Sequence, residues 1–202
     1  MMFCTPDQTD ALQEVVNIGM GAAADSLART LGAFVQLPVP RIRLIQSADV
    51  VAAISQLTGA TSKLTAVRQA FSSGFRGEAL VIFGRESARE LAGYLGYEGD
   101  LVRKDIEEIL LEISNILVGA CLGGLAAQLS YHLVFSAPSF IAHEASIDEL
   151  LAPQRLAWER SLLVEVNFRL EEKSFVAHIL LFWPEASMDA LIRAIDVILE
   201  GI

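Results

Sequence analysis

Apolar residues recur every three or four positions between Leu12 and Leu31, the spacing of a helix with one buried face. The start of that helix is legible: Thr5 suits the N-cap and Pro6 the first helical position, while Gln8, three residues past Thr5, closes a capping box. Gly32 can end it. Strand-like runs follow around Phe34–Leu37 and Ile42–Ile45, divided by Pro38 and Pro40, and Ser47–Leu57 reads as a short helix. Strands are predicted at Leu64–Phe71 and Phe75–Phe83, joined by the turn-prone Ser72-Ser73-Gly74, and then a helix over Glu86–Leu95.

The same plan then runs again. Asp100 reads as the cap of a long helix to about Ser130, followed by a strand at Tyr131–Phe135 and a further segment after Pro138. Ile147–Leu151 suggests a helical turn, Leu162–Leu170 and Phe175–Phe182 strands, and Ala186–Leu199 a closing helix. Phe83-x-x-Glu86 before the first closing helix resembles Phe182-x-x-Glu185 before the second. A helix, antiparallel strands and a helix, twice over, predict an α+β fold. The expected form is a mostly antiparallel sheet packed with two long helices and a pseudo-two-fold internal repeat.

Polar positions repeat as well. Asp10, Glu14, Asn17 and Pro40 fall on Glu108, Glu112, Asn115 and Pro138, each 98 residues further on. Residues 10–40 and 108–138 are identical at ten of 31 positions, among them Gly21 and Gly119. With Asp10 at zero on a helical wheel, Glu14, Asn17 and Gly21 all lie within about 60° of arc. Leu12, Val15, Val16, Ala22 and Ala23 fall on the opposite side and are expected in the core. Each long helix thus offers a carboxylate pair, an amide, and a gap where a side chain would stand.

The stripe does not help its own helix. Like charges at i and i+4 repel by ~0.2–0.5 kcal/mol, and Gly within a helix costs roughly 1 kcal/mol against Ala. Asn is a poor interior residue because its amide competes for backbone hydrogen bonds. One such helix would read as a solvated face with a packing glycine. Two copies carrying the same costs, each with its proline, point to a duplicated site.

Composition narrows the partners. The net charge of −10 argues against nucleic acid, which requires clustered Lys and Arg, and suits a cation-bearing protein. The mean hydropathy of +0.46 indicates many buried elements. Cys4 and Cys121 form no C-x-x-C pair, which fits a reduced, cytoplasmic chain. No signal peptide is apparent at the N-terminus, and the apolar run Ile116–Ala127 is shorter than the ~20 residues a bilayer span needs, so no membrane insertion is expected.

Other chemistries find little footing. His132, His143 and His178 lack ligand spacing with Cys or carboxylates, and read as structural or surface residues with no metal site. Gly19-Met20-Gly21-Ala22-Ala23-Ala24 fits G-x-G-x-x-A, but a helix precedes it where a dinucleotide fold needs a strand, and residues 36–46 contain no acid. Gly123 and Gly124, beyond the second stripe, read as helix packing.

These residues resemble the CheC/CheX/FliY family of chemotaxis phosphatases, whose signature is Asp or Ser, x3, Glu, x2, Asn, x22, Pro. The first copy fits at every position, and the second departs only at Glu108, where Asp or Ser is usual. Two motifs in one chain look most like the CheC branch. CheX-type members carry one site and dimerise, and FliY-type members append a flagellar-switch domain, for which no sequence remains after Ile202. The resemblance implies a single domain over 1–202, built of halves at about 1–98 and 99–202, and expected to be a monomer.

The implied activity is hydrolysis of the aspartyl phosphate on a CheY-type response-regulator receiver. The receiver would bring its own Mg²⁺ and Lys, so this chain needs no cofactor. Asn17 and Asn115 are suited to orient the attacking water, because an amide both donates and accepts hydrogen bonds. Glu14 and Glu112 would dock the receiver's Lys, helped by Asp10 and Glu108, with Gly21 and Gly119 leaving room for its loop. Pro40 and Pro138, lacking an N–H, would stop strand pairing beside the site. The resemblance also names the receptor deamidase CheD as a candidate partner. The alternative class is a binding module that docks a receiver or CheD without hydrolysis.

Overall fold

The computed structural model describes residues 4–59, 63–84, 86–97, 99–150, 158–170 and 175–201. Helix α1 spans Pro6–Leu31 and begins as its sequence predicts. The Thr5 hydroxyl accepts the Gln8 backbone N–H at 3.2 Å, and the Gln8 side-chain Oε1 accepts the Thr5 N–H at 2.9 Å. Gly32 ends it in the left-handed region at φ 62°.

The equivalent helix, α4, runs Arg103–Gln128 and starts differently from expectation. Asp100 lies outside it; the cap position is Val102, whose N–H donates to the Asp105 carboxylate at 3.0 Å. Valine has no side-chain acceptor, so only the reciprocal half of a capping box is made. At the other end Ser130 takes the position of Gly32 and its left-handed backbone, φ 56°, at a cost of about 1–2 kcal/mol for a residue with a β-carbon.

Between and after these helices lie β1 (Val35–Gln36), β2 (Arg41–Gln46), α2 (Val50–Thr58), β3 (Leu64–Ser72), β4 (Arg76–Phe83) and α3 (Ser87–Tyr94). The second half supplies β5 (Val134–Phe135), β6 (Ser139–Ala145), the helical turn α5 (Ile147–Leu150), β7 (Arg160–Leu170), β8 (Val176–Pro184) and α6 (Glu185–Glu200). The strand expected from Tyr131 begins only at Val134, after the turn that closes α4. The last residue of the predicted turn, Leu151, lies outside the described residues.

Among the described residues all pairings are antiparallel, in the order β1-β7-β8-β4-β3-β5, with β2 also on β7 and β6 also on β3. Each half therefore lends its edge to the other: β1 and β2 pair with the second-half strand β7, and β5 and β6 with the first-half strand β3. Each edge is one strand broken ahead of the motif proline. From Gln36 to Arg41 it advances five residues while β7 advances four, from Arg169 to Glu165. From Phe135 to Ser139 it advances four against three on β3, from Phe71 to Arg68. One surplus residue at each break is the signature of a β-bulge, and Pro40 and Pro138 each close one.

One face of the sheet carries α1, α4, α3 and α6 over the main core, which includes Leu12, Val16, Leu27, Leu117, Leu122, Phe168 and Trp183. Full burial of each of the larger side chains contributes about 1.5–3 kcal/mol. The other face holds a smaller core around Ile54 of α2, Ile82 and Leu180. Helix α4 is long and apolar enough to cross a membrane by composition, but 56% of its most apolar window is buried against the rest of the protein.

Helices α1 and α4 touch backbone to backbone. A β-carbon on Gly19 would stand 2.4 Å from the Cys121 carbonyl oxygen. The first glycine of the G-x-G-x-x-A run is thus a crossing residue inside a helix. Gly124 packs as expected, while Gly123 is exposed with open space around it. Ala22 also departs from expectation: at the margin of the apolar arc it is exposed rather than buried.

Candidate functional site

Two exposed stripes, one on each long helix, carry the motif. On α1, Asp10, Glu14, Asn17 and Gly21 are all exposed. On α4, Glu108, Glu112 and Asn115 are exposed and Gly119 is partly so. A β-carbon on Gly21 or Gly119 would meet nothing within 4 Å, so each stripe ends in open space next to its amide. Pro40 is buried and Pro138 half-buried at the edge bulges. Two clefts among the described residues, of about 640 and 390 Å³, are lined by none of these ten residues. The motif presents an open face, suited to a macromolecule.

The two amides differ in their support. Among the described residues the Asn17 side chain has no hydrogen-bond partner. The Asn115 carbonyl oxygen accepts from Gln69 Nε2 at 3.2 Å. Gln69 lies on β3 between the core residues Val67 and Phe71, and is only 2% exposed. The same Nε2 donates to the Ser136 carbonyl at 2.9 Å. Ser136 sits in the bulge ahead of Pro138, where its N–H donates to the Ala70 carbonyl at 2.9 Å and its hydroxyl accepts the Ala70 N–H at 3.0 Å.

Sequence reasoning missed Gln69 and Ser136. Gln69 did leave a signal, as the amide interrupting the apolar side of a strand. It also missed Tyr97, which follows the left-handed Gly96 after α3. Burial, and then the carboxylates of Glu108, Glu112 and Asp105, push the Tyr97 phenol up. That places it beside the second acidic pair.

Two of the three histidines can be placed, the side chain of His143 lying outside what the structure describes. His132 is exposed, whereas His178 on β8 is buried with Nδ1 2.6 Å from the Asn167 side-chain oxygen. No group of three His, Cys, Asp or Glu among the described residues is placed to hold a metal.

Residues 8–42, the stretch from the first turn of α1 past Pro40, match the model of the CheC-like family. Over that stretch the chain is CheC-like. It superposes on FliY from Thermotoga maritima with a TM-score of 0.70 and 16% identity, covering 97% of this chain and 98% of that one. For CheX from Desulfovibrio desulfuricans the values are 0.56 and 12%, over 83% and 97%. The middle domain of FliM from Vibrio alginolyticus gives 0.61 and 9%, over 91% and 99%. At these identities the superpositions show a shared CheC-like fold, an antiparallel sheet with long helices. The family match over residues 8–42 takes in the first copy of the motif, on α1 and at Pro40.

Proposed function

We propose that this protein hydrolyses the aspartyl phosphate of a CheY-type response-regulator receiver, in a chemotaxis-like pathway of the cytoplasm. The observation that carries the reading is the pair of exposed stripes, each with a carboxylate, an amide one turn on, and an empty position beside that amide. An acyl phosphate is reactive enough that the missing element is an oriented water. Its oxygen attacks phosphorus as the bond to the receiver's aspartyl oxygen breaks. The aspartate leaves as carboxylate, and the water's proton passes to the phosphate released or to solvent.

In this reading Asn17 and Asn115 hold the water by hydrogen bonds, since an amide is no base. Glu14 and Glu112 pair with the receiver's Lys, and Asp10 and Glu108 add to the attraction for that cation. The receiver supplies Mg²⁺ to balance charge on the phosphoryl oxygens. One chain carries both sites, so a monomer suffices. CheD enters through the resemblance alone.

A second reading is a module that docks the receiver without hydrolysis. It needs the exposed carboxylates but not the amides. The asparagines separate the two. Asn17→Ala with Asn115→Ala should reduce phosphate release from a phosphorylated receiver to the receiver's own rate, with binding kept within a few-fold. Glu14→Ala with Glu112→Ala should instead raise KM. A double-asparagine variant as fast as the parent would sink the catalytic reading.

A further inference from the structure

We propose that Gln69 is a positioning residue for Asn115, holding its amide in one orientation, so that the two copies of the motif are not equivalent. The inference rests on the reading that Asn115 orients the attacking water.

The orientation is dictated from the backbone outward. The Ser136 carbonyl can only accept, so it takes one hydrogen of Gln69 Nε2, at 2.9 Å. A flipped Gln69 amide would set two oxygens against each other. The second Nε2 hydrogen therefore points at Asn115, whose carbonyl oxygen accepts it at 3.2 Å. Asn115 is left with Oδ1 turned toward the sheet, one lone pair free, and both Nδ2 hydrogens directed away from Gln69. Ser136 is itself tied to Ala70 through its N–H and its hydroxyl. An unbroken chain of hydrogen bonds runs from the sheet through the bulge to the exposed amide.

Packing does not require a glutamine there. Gln69 Oε1 is buried with no hydrogen-bond partner, a cost that a hydrocarbon side chain would avoid. The other half of the molecule shows the apolar solution. On β7, between Glu165 and Arg169 where the first edge is broken, the helix-facing residues are Val166 and Phe168, both fully buried. Asn17 accordingly lacks what Asn115 has. The second copy departs from the family pattern at Glu108, yet it is the copy with the ordered amide.

The test reads each copy alone. In the Asn17→Ala protein only the second copy can turn over, and Gln69→Met should lower kcat by roughly tenfold or more with KM little changed, because a misplaced water costs rate rather than docking. Removing the buried orphan oxygen should leave thermal stability equal or higher, which loss of a merely structural residue would not do. In the Asn115→Ala protein the same substitution should have no comparable effect. Gln69→Leu serves as the second variant if Met packs badly.

A relaxation measurement on the side-chain amides decides the positioning without any activity. Asn115 should be rigid and Asn17 mobile, with order parameters of about 0.8 and below about 0.6, and Gln69→Met should bring Asn115 down to the value of Asn17. An Asn115 amide as mobile as Asn17 in the parent, or unmoved by Gln69→Met, overturns the proposal. So does an equal loss of kcat in both single-copy proteins. A parent that releases no phosphate refutes the phosphatase reading instead, and the relaxation result still judges Gln69.

Discussion

A β-carbon on Gly124 of α4 would stand 2.8 Å from the Cα of Gly19 on α1, so the two long helices cross with no side chain between them at that point. Gly21, two residues along α1, faces open space. Gly19→Ala should therefore destabilise the protein by about 2 kcal/mol or more, because its β-carbon meets the Cys121 backbone carbonyl and neither helix can yield locally. Gly21→Ala should stabilise the helix by roughly 0.5–1 kcal/mol. If the gap admits the receiver's loop, it should also raise KM for a phosphorylated receiver. Urea unfolding of the two variants checks the contrast; equal stability losses would contradict it.

The edge strand β2 is fastened to β7 by an ion pair. Arg43 Nε donates to Glu165 Oε1 at 2.9 Å, and the Glu165 side chain is 2% exposed against 42% for Arg43. Arg43→Leu would strand a buried carboxylate and should cost about 3 kcal/mol. Adding Glu165→Leu should recover much of that loss, since the penalty comes from the unpaired charge. Denaturation midpoints of the single and double variants report it, and a double variant worse than the single would refute this account. The β1–β2 edge carries Pro40, so the single variant should also slow turnover at the first copy.

Stability should fall with acid through His178. Burial, and then the nearby Arg169, lower its pKa to about 4 in the folded protein, against about 6.5 unfolded. Between those values the unfolded chain binds the extra proton. The contribution is therefore complete above about pH 6.5 and is lost as the pH falls toward 4, by about 3 kcal/mol at most. His178→Gln should flatten that part of the profile. Unfolding at about pH 5 and about pH 7.5 gives the comparison, and an unchanged slope in the variant would assign the effect elsewhere.

Local signals determined most of the elements. Thr5, Pro6, Gln8 and Gly32 delimit α1 because caps are short-range hydrogen bonds between residues close in sequence. The exposure of Asp10, Glu14 and Asn17 followed from helical period alone, as did that of Glu108, Glu112 and Asn115. Where a cap lacked its usual residue, the reading slipped: Val102 offers no side-chain acceptor and Ser130 hides a left-handed turn that glycine would have advertised.

Only the tertiary structure decided what joins the halves and what distinguishes them. That β1 and β2 pair with β7 across about 120 residues of chain is a long-range fact with no local trace, and Gly124 announced close packing without naming Gly19 as its partner. The Gln69–Asn115 contact is of the same kind, linking a strand of the first half to a helix of the second. Sequence set out two stripes of nearly the same residues. Folding placed a buried amide behind one, and Val166 and Phe168 on the corresponding stretch of β7, because a side chain's partners are set by which strand the sheet lays beneath it.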